Sequence, residues 1–174
     1  MLTSRRQFVK KLSITTGGLA VVGPQSVFSR TADTKIKLGI IGTGLRGQTH
    51  LQMALMRNDV DVTAICDIDE RMLNMSSEII KKSGKAMPKI YKGTIHAYKE
   101  LLNTKLVDAV IIATPWEWHK PMIIDALSAG IKYIGTEVVL GITLDDHWEI
   151  VKAAENTGAH IMMLENACYR RDVL

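Results

Sequence analysis

The sequence predicts an α/β protein organised as a doubly wound parallel sheet. Three observations carry that expectation. Six short apolar runs, rich in β-branched residues, alternate with helix-period segments roughly every 20 to 30 residues. The run at 107–113 is almost continuously apolar, as a strand buried on both faces should be. Glycines and polar residues gather just past the C-terminal ends of the runs, where open α/β sheets bind their ligands.

Taken in order, 36–41 is the first strand. It feeds Gly42-Thr43-Gly44-Leu45-Arg46-Gly47, which opens a helix over 45–56 with Leu51, Ala54 and Leu55 as its apolar stripe. The second strand, 60–66, is β-branched and closes at Asp67. Asp69 caps a second helix that turns Met72, Leu73, Ile79 and Ile80 inward and stops at Gly84. A short third strand at 88–91 and a helix at 94–102 with Tyr98, Leu101 and Leu102 inward follow. After the fourth strand, 107–113, a helix at 120–129 ends at Gly130, and 132–135 is the fifth strand. Thr143 with Asp146 three places on starts a helix like a capping box. Its expected inward residues are Trp148, Ile150, Val151 and Ala154; Gly158 ends it, and 160–164 is the sixth strand. The nine methionines read as core filler, and Cys66 and Cys168 as free, buried thiols outside any disulfide framework.

Residues 1–30 read as an address. Arg5-Arg6 is followed by Phe8 and then by a mildly apolar stretch at 12–22, diluted by Thr15, Thr16, Gly17 and Gly18. Pro24 breaks it, and Ser26 and Ser29 supply small residues for cleavage. The layout is that of a twin-arginine export signal, so a periplasmic or secreted location and the export machinery as a partner are expected. The apolar part is about half of the ~20 residues a spanning helix needs, so no stable membrane anchor is expected. The chain carries a formal charge of +4, but Arg5, Arg6, Lys10, Lys11 and Arg30 lie in this segment with no acid among them. The remainder is close to neutral, which leaves no footprint for nucleic acid. Residues 31–174 are enough for one domain with its own core.

The spacing G-x-G-x-x-G after a strand and before a helix, with Asp67 about twenty residues on, points to a dinucleotide site. Gly42 allows the turn, Gly44 leaves the backbone open to a pyrophosphate, and Gly47 lets helix and strand pack closely. Asp67 accepts from the adenosine ribose hydroxyls and repels a 2′-phosphate, favouring NAD; Arg71 nearby keeps NADP open. Trp116-Glu117-Trp118-His119 follows the fourth strand. The tryptophans either pack a loop or cover a cofactor or sugar, and His119 either caps the next helix or joins them. Glu137 ends the fifth strand, and neither it nor His119 has a partner at metal-ligand spacing.

With the glycine turn, Cys66-Asp67, Ala113-Thr114-Pro115 and Glu137, the segment from Lys35 to Leu174 resembles the nucleotide-binding half of the Gfo/Idh/MocA oxidoreductases. The stretches Gly44–His50, Pro115–His119 and Met163–Asp172 are similar to glycoside hydrolase family 109, NAD-dependent glycosidases typified by α-N-acetylgalactosaminidase. The resemblance implies a Rossmann-type domain, bound NAD and a glycoside substrate. It implies chemistry by transient oxidation at C3 of the sugar and elimination of the aglycone, an exception to the two-carboxylate scheme. Carried over residue by residue, Leu45 and Arg46 meet the pyrophosphate side and Asp67 the adenosine ribose. Trp116, Glu117, Trp118, His119, Glu137, Val138 and Asn166 line the rest of the cofactor, and Tyr169 is a weak candidate for reaching the sugar. The family's dehydrogenases carry Glu-Lys-Pro where this chain has Glu137-Val138-Val139, which disfavours, but keeps open, a sugar dehydrogenase. The resemblance implies a second α+β domain that supplies most substrate and acid/base residues, and residues 31–174 are expected to hold the cofactor domain without it. Residues 31–174 alone are therefore expected to bind cofactor without glycosidase turnover and to self-associate, and a non-catalytic nucleotide-binding module stays an alternative.

Overall fold

The computed structural model describes residues 35–169 and 171. The twin-arginine segment lies outside these residues. Six parallel strands form one sheet in the order β3-β2-β1-β4-β5-β6. They are β1 (Ile36–Ile41), β2 (Val60–Cys66), β3 (Lys89–Tyr91), β4 (Ala109–Ile112), β5 (Tyr133–Thr136) and β6 (His160–Met163). Five helices connect them: α1 (Leu45–Leu55), α2 (Glu70–Ser83), α3 (Ala97–Leu102), α4 (His119–Ser128) and α5 (Leu144–Thr157). The strand order reverses between β1 and β4, the crevice where doubly wound folds bind ligands.

Strand alternation sends neighbouring residues to opposite faces and so builds two cores. Leu38, Ile40 and Ile65 pack with Leu51, Ala54 and Leu55 of α1 and with Leu73 and Ile80 of α2. Ile41, Ala64, Val110, Ile112 and Ile134 pack with Tyr98 and Leu101 of α3, Met122 and Ile123 of α4 and Ile150 of α5. Both faces are covered over the central strands, as a parallel sheet requires, while the edge strand β6 stays largely exposed. Asp69 caps α2 by accepting from Arg71 N at 2.8 Å, and Gly84 ends it with a left-handed φ of 71°. Thr143 and Asp146 form a complete capping box at the start of α5.

Several expectations are corrected. Trp148 and Val151 are exposed, because α5 packs through Ile150 and the small Ala153, and positions 148 and 151 lie off that stripe. The methionines are mostly surface residues: Met122 is buried, whereas Met53, Met56, Met75, Met87, Met162 and Met163 are exposed. Cys66 is buried as expected, but Cys168 is exposed, since it sits in a 3-10 turn (Asn166–Tyr169) past the edge strand. The helix expected from 94 begins at Ala97, and a 3-10 turn at Trp116–Trp118, which the periodicity did not signal, precedes α4. Among the described residues no helix is long and apolar enough to cross a membrane.

Candidate cofactor site

The site is built on the ends of the strands. In register, Tyr91, Cys66, Ile41, Ile112, Thr136 and Met163 form one row across the sheet. The ladder continues one residue further. Gly42 N donates to Cys66 O at 2.8 Å, Asp67 N to Tyr91 O at 3.3 Å and Ala113 N to Ile41 O at 2.8 Å. Glu137 N donates to Ile112 O at 2.9 Å and Leu164 N to Thr136 O at 2.7 Å. The backbones of Gly42, Asp67, Ala113, Glu137 and Leu164 are thereby fixed in a second row at the C-terminal end of the sheet.

The three glycines of the turn differ physically. Gly42 has φ 86°, and a Cβ there would meet Ala113 O at 2.5 Å. A Cβ on Gly47 would stand 2.0 Å from Gly42 O, so turn and helix touch through bare backbone. A Cβ on Gly44 would meet nothing within 4 Å. Packing does not demand that glycine; the space beside it is open to a ligand. No side chain caps α1, whose first-turn N–H groups and positive dipole end face this space. The arrangement fits a pyrophosphate.

Asp67 stands beside the turn on a cleft of about 280 Å³ walled by Gly42, Gly44, Ile68, Thr94 and Trp118. Its Oδ2 accepts from Thr43 N at 2.6 Å and from Thr43 Oγ1 at 3.1 Å; its Oδ1 accepts from Asp69 N at 2.9 Å. A carboxylate oxygen takes two donors, so Oδ1 keeps a lone pair for a ribose hydroxyl. Cys66 also lines this cleft, but burial, aided by the charges of Asp67 and Glu100, pushes its thiol up to about 12, which leaves it protonated and inert.

Glu137 is 7% exposed and sits on the far side of the glycine turn. Arg46 donates to its Oε1 through Nη2 at 2.8 Å and Nε at 3.2 Å, and His50 Nε2 lies 2.6 Å from the same oxygen. Burial pushes the Glu137 carboxyl up, but the hydrogen bonds from His50 and Arg46 with the Arg46 charge outweigh it and hold the group below the usual carboxylate range. In this state Arg46, expected on the pyrophosphate, is engaged by Glu137, and Leu45 is fully at the surface.

The aromatic loop divides. Trp118 lines the cleft and packs edge-on against Tyr98, ring centroids 6.5 Å apart. Trp116 and Glu117 face a separate groove between α3, α4 and the start of α5. His119 is fully buried: Nε2 lies 2.9 Å from Thr114 O, and Nδ1 faces Val139 O. Both ring nitrogens are occupied by backbone, so the expected cofactor contact of His119 is corrected to an internal strut holding the loops after β4 and β5. Val138 is half-buried next to Glu137, and Asn166 is exposed in its 3-10 turn beyond β6. The side chain of Tyr169 lies outside what the structure describes. Two residues of the site carry no role in the sequence-based expectation: Thr43, fully buried and anchoring Asp67, and His50, anchoring Glu137. Both lie in or just after the glycine motif, yet their partners stand 24 and 87 residues away, a proximity that periodicity does not reveal. Among the described residues no group of three or more His, Cys, Asp or Glu could hold a metal.

Comparison with known proteins agrees with this architecture. The chain is 50% identical over 142 residues to a glycosyl hydrolase family 109 protein of Stenotrophomonas maltophilia, covering 80% of this chain and 31% of that protein. It is 36% identical over 191 residues to an alpha-N-acetylgalactosaminidase of Tannerella forsythia, covering all of this chain and 41% of that one. The chain thus spans 31% to 41% of the length of such relatives. Among solved structures, an NAD-binding protein from Listeria innocua superposes with a TM-score of 0.65 at 30% identity, over 80% of this chain and 38% of that one. GenD2 from gentamicin A biosynthesis, in complex with NAD, superposes with a TM-score of 0.67 at 22% identity over 79% and 36%, which speaks to the fold. The model of the Gfo/Idh/MocA oxidoreductases' NAD-binding Rossmann fold matches residues 36–165, and the chain belongs to that family.

Proposed function

We propose that the chain is the NAD-holding domain of a family 109-type glycosidase acting on an α-N-acetylgalactosaminide, and that it prefers NAD to NADP. The cofactor preference rests on Asp67. Its carboxylate is fixed by Thr43 and Asp69 N, keeps one lone pair, and would lie against a 2′-phosphate as a like charge. The open space at Gly44 and the uncapped start of α1 receive the pyrophosphate. Glu137, tied through Oε1 to Arg46 and His50, presents its other oxygen as an acceptor at the opposite end of the crevice.

The observation that carries the glycosidase reading over a sugar dehydrogenase is Val138. A half-buried valine next to Glu137 neither relays a proton nor donates to a hydroxyl. When bound, NAD supplies reversible oxidation of the sugar at C3, which acidifies C2–H and lets the aglycone leave by elimination. This domain binds and orients; most acid/base and glycoside-contacting groups are assigned to the additional length that its relatives carry. We further propose export by the twin-arginine route, based on Arg5-Arg6 and Phe8. An unchanged periplasmic pool after both arginines become lysine refutes that route.

Titration with NAD and NADP tests the site. Tighter NAD binding is expected, and Asp67→Ala should narrow the gap by weakening NAD and relieving NADP; equal or tighter NADP binding by the unaltered chain overturns the preference. In the complete protein, aryl N-acetylgalactosaminide cleavage without net NADH supports the glycosidase. Net NADH formed from a free sugar establishes the dehydrogenase instead.

A further inference from the structure

The cofactor preference proposed above treats Asp67 as the discriminating group. The first turn of α2 adds a second device. Arg71 is the residue expected to welcome a 2′-phosphate, because a guanidinium near the ribose is what NADP sites use. Here its Nη2 donates to Asp69 Oδ2 at 2.7 Å and its Nε to Asp69 Oδ1 at 3.2 Å. Its own backbone N–H binds Asp69 Oδ1 at 2.8 Å. The carboxylate thus takes the guanidinium by two nitrogens, the geometry a phosphate would otherwise use. Asp69 is itself coupled to the ribose-binding group, since its N–H is one of the donors to Asp67. The fork is therefore tied, through Asp69, to the residue that the cofactor reading places at the ribose, with the Nε/Nη2 edge of its guanidinium already engaged. Hydrogen bonding to Asp69 raises the Arg71 pKa, and hydrogen bonding to Arg71 lowers that of Asp69, so both stay charged throughout the neutral range.

We propose that Asp69 is a specificity-determining residue: it acts as an internal decoy for the 2′-phosphate, occupying Arg71 and so strengthening the discrimination against NADP that Asp67 begins. The proposal rests on the reading of this crevice as a dinucleotide site. An exposed pair of this kind is weak, so its loss is worth at most about fivefold in affinity.

The test is a cycle of four chains, unaltered, Asp69→Ser, Arg71→Ala and both, each titrated with NAD and with NADP. Serine keeps the helix cap while removing the charge, and an unchanged Tm confirms that α2 is intact. Asp69→Ser should tighten NADP by about fivefold and leave NAD within about twofold, with NADP still the weaker ligand because Asp67 remains. Arg71→Ala should do little alone and should cancel the gain in the Asp69→Ser background. If Asp69→Ser leaves NADP unchanged, or tightens it equally with Arg71 absent, the decoy is refuted; the second result reduces Asp69 to a general negative charge. If Arg71→Ala alone weakens NADP, the guanidinium is already available, and the proposal fails as well. If the unaltered chain binds neither cofactor, the dinucleotide reading itself falls, an outcome distinct from all of these.

Discussion

At the scale of single residues, two glycines of one motif answer to different forces and can be separated by experiment. Gly47 is required by contact: its missing Cβ would overlap Gly42 O at 2.0 Å. Gly47→Ala should therefore cost about 3 kcal/mol, a fall of about 10 °C in Tm, whether or not cofactor is present. Gly44 has φ −64° and open space where a Cβ would go, so Gly44→Ala should leave Tm unchanged and weaken NAD about tenfold. Thermal unfolding of both variants, paired with NAD titration, checks the contrast. A destabilised Gly44→Ala that still binds NAD normally would reverse the assignment. The glycine turn and the place of Asp67 beside it were legible because they depend on backbone conformation and on position after a strand, which sequence spacing encodes. His119 was not, because its ring nitrogens are claimed by carbonyls of two loops that meet only in the fold.

Elements couple through side chains, and the clearest coupling joins α1 to the end of β5. Arg46 and His50 lie one helical turn apart on α1 and converge on one oxygen of Glu137. The Glu137 carboxyl titrates below its ordinary range in the folded state. Its contribution to stability is therefore complete above the ordinary carboxylate value of about 4.5 and is lost as pH falls through the lower folded value. Glu137→Gln should lack that part of the acid-induced fall in Tm. Asp146, also depressed, by Lys120 and its cap bonds, keeps a residual slope in both chains. The difference between two Tm curves from pH 6 to pH 3 isolates Glu137; parallel curves would show that the triad stabilises nothing. Among the described residues periodicity found the six strands and five α-helices, most clearly where a buried stripe is regular, as in β2 and α2. It misplaced part of the stripe of α5, where Ile150 is buried as expected but Ala153, rather than Trp148 or Val151, packs beside it.

Over the whole molecule, the β3 side and the β6 side are unlike. Among the described residues both edge strands, β3 and β6, are paired on one side, and on the β6 side Leu144 and Trp148 of α5 and Met162 and Met163 of β6 are large apolar side chains left exposed. An apolar surface with an open sheet edge favours association. Sedimentation of the chain should show concentration-dependent self-association, reduced in Leu144→Lys/Trp148→Lys; a monomer at all concentrations would dismiss the surface as adhesive. The continued ladder along the rim has a different consequence. Asp67 and Glu137 are rooted on β2 and β5, three strand intervals apart, and parallel strands repeat at about 4.8 Å. Their backbones are thus held about 14 Å apart by the pitch of the sheet, without any dedicated spacer. The pitch of the sheet therefore sets the span that any ligand contacting both residues has to cover.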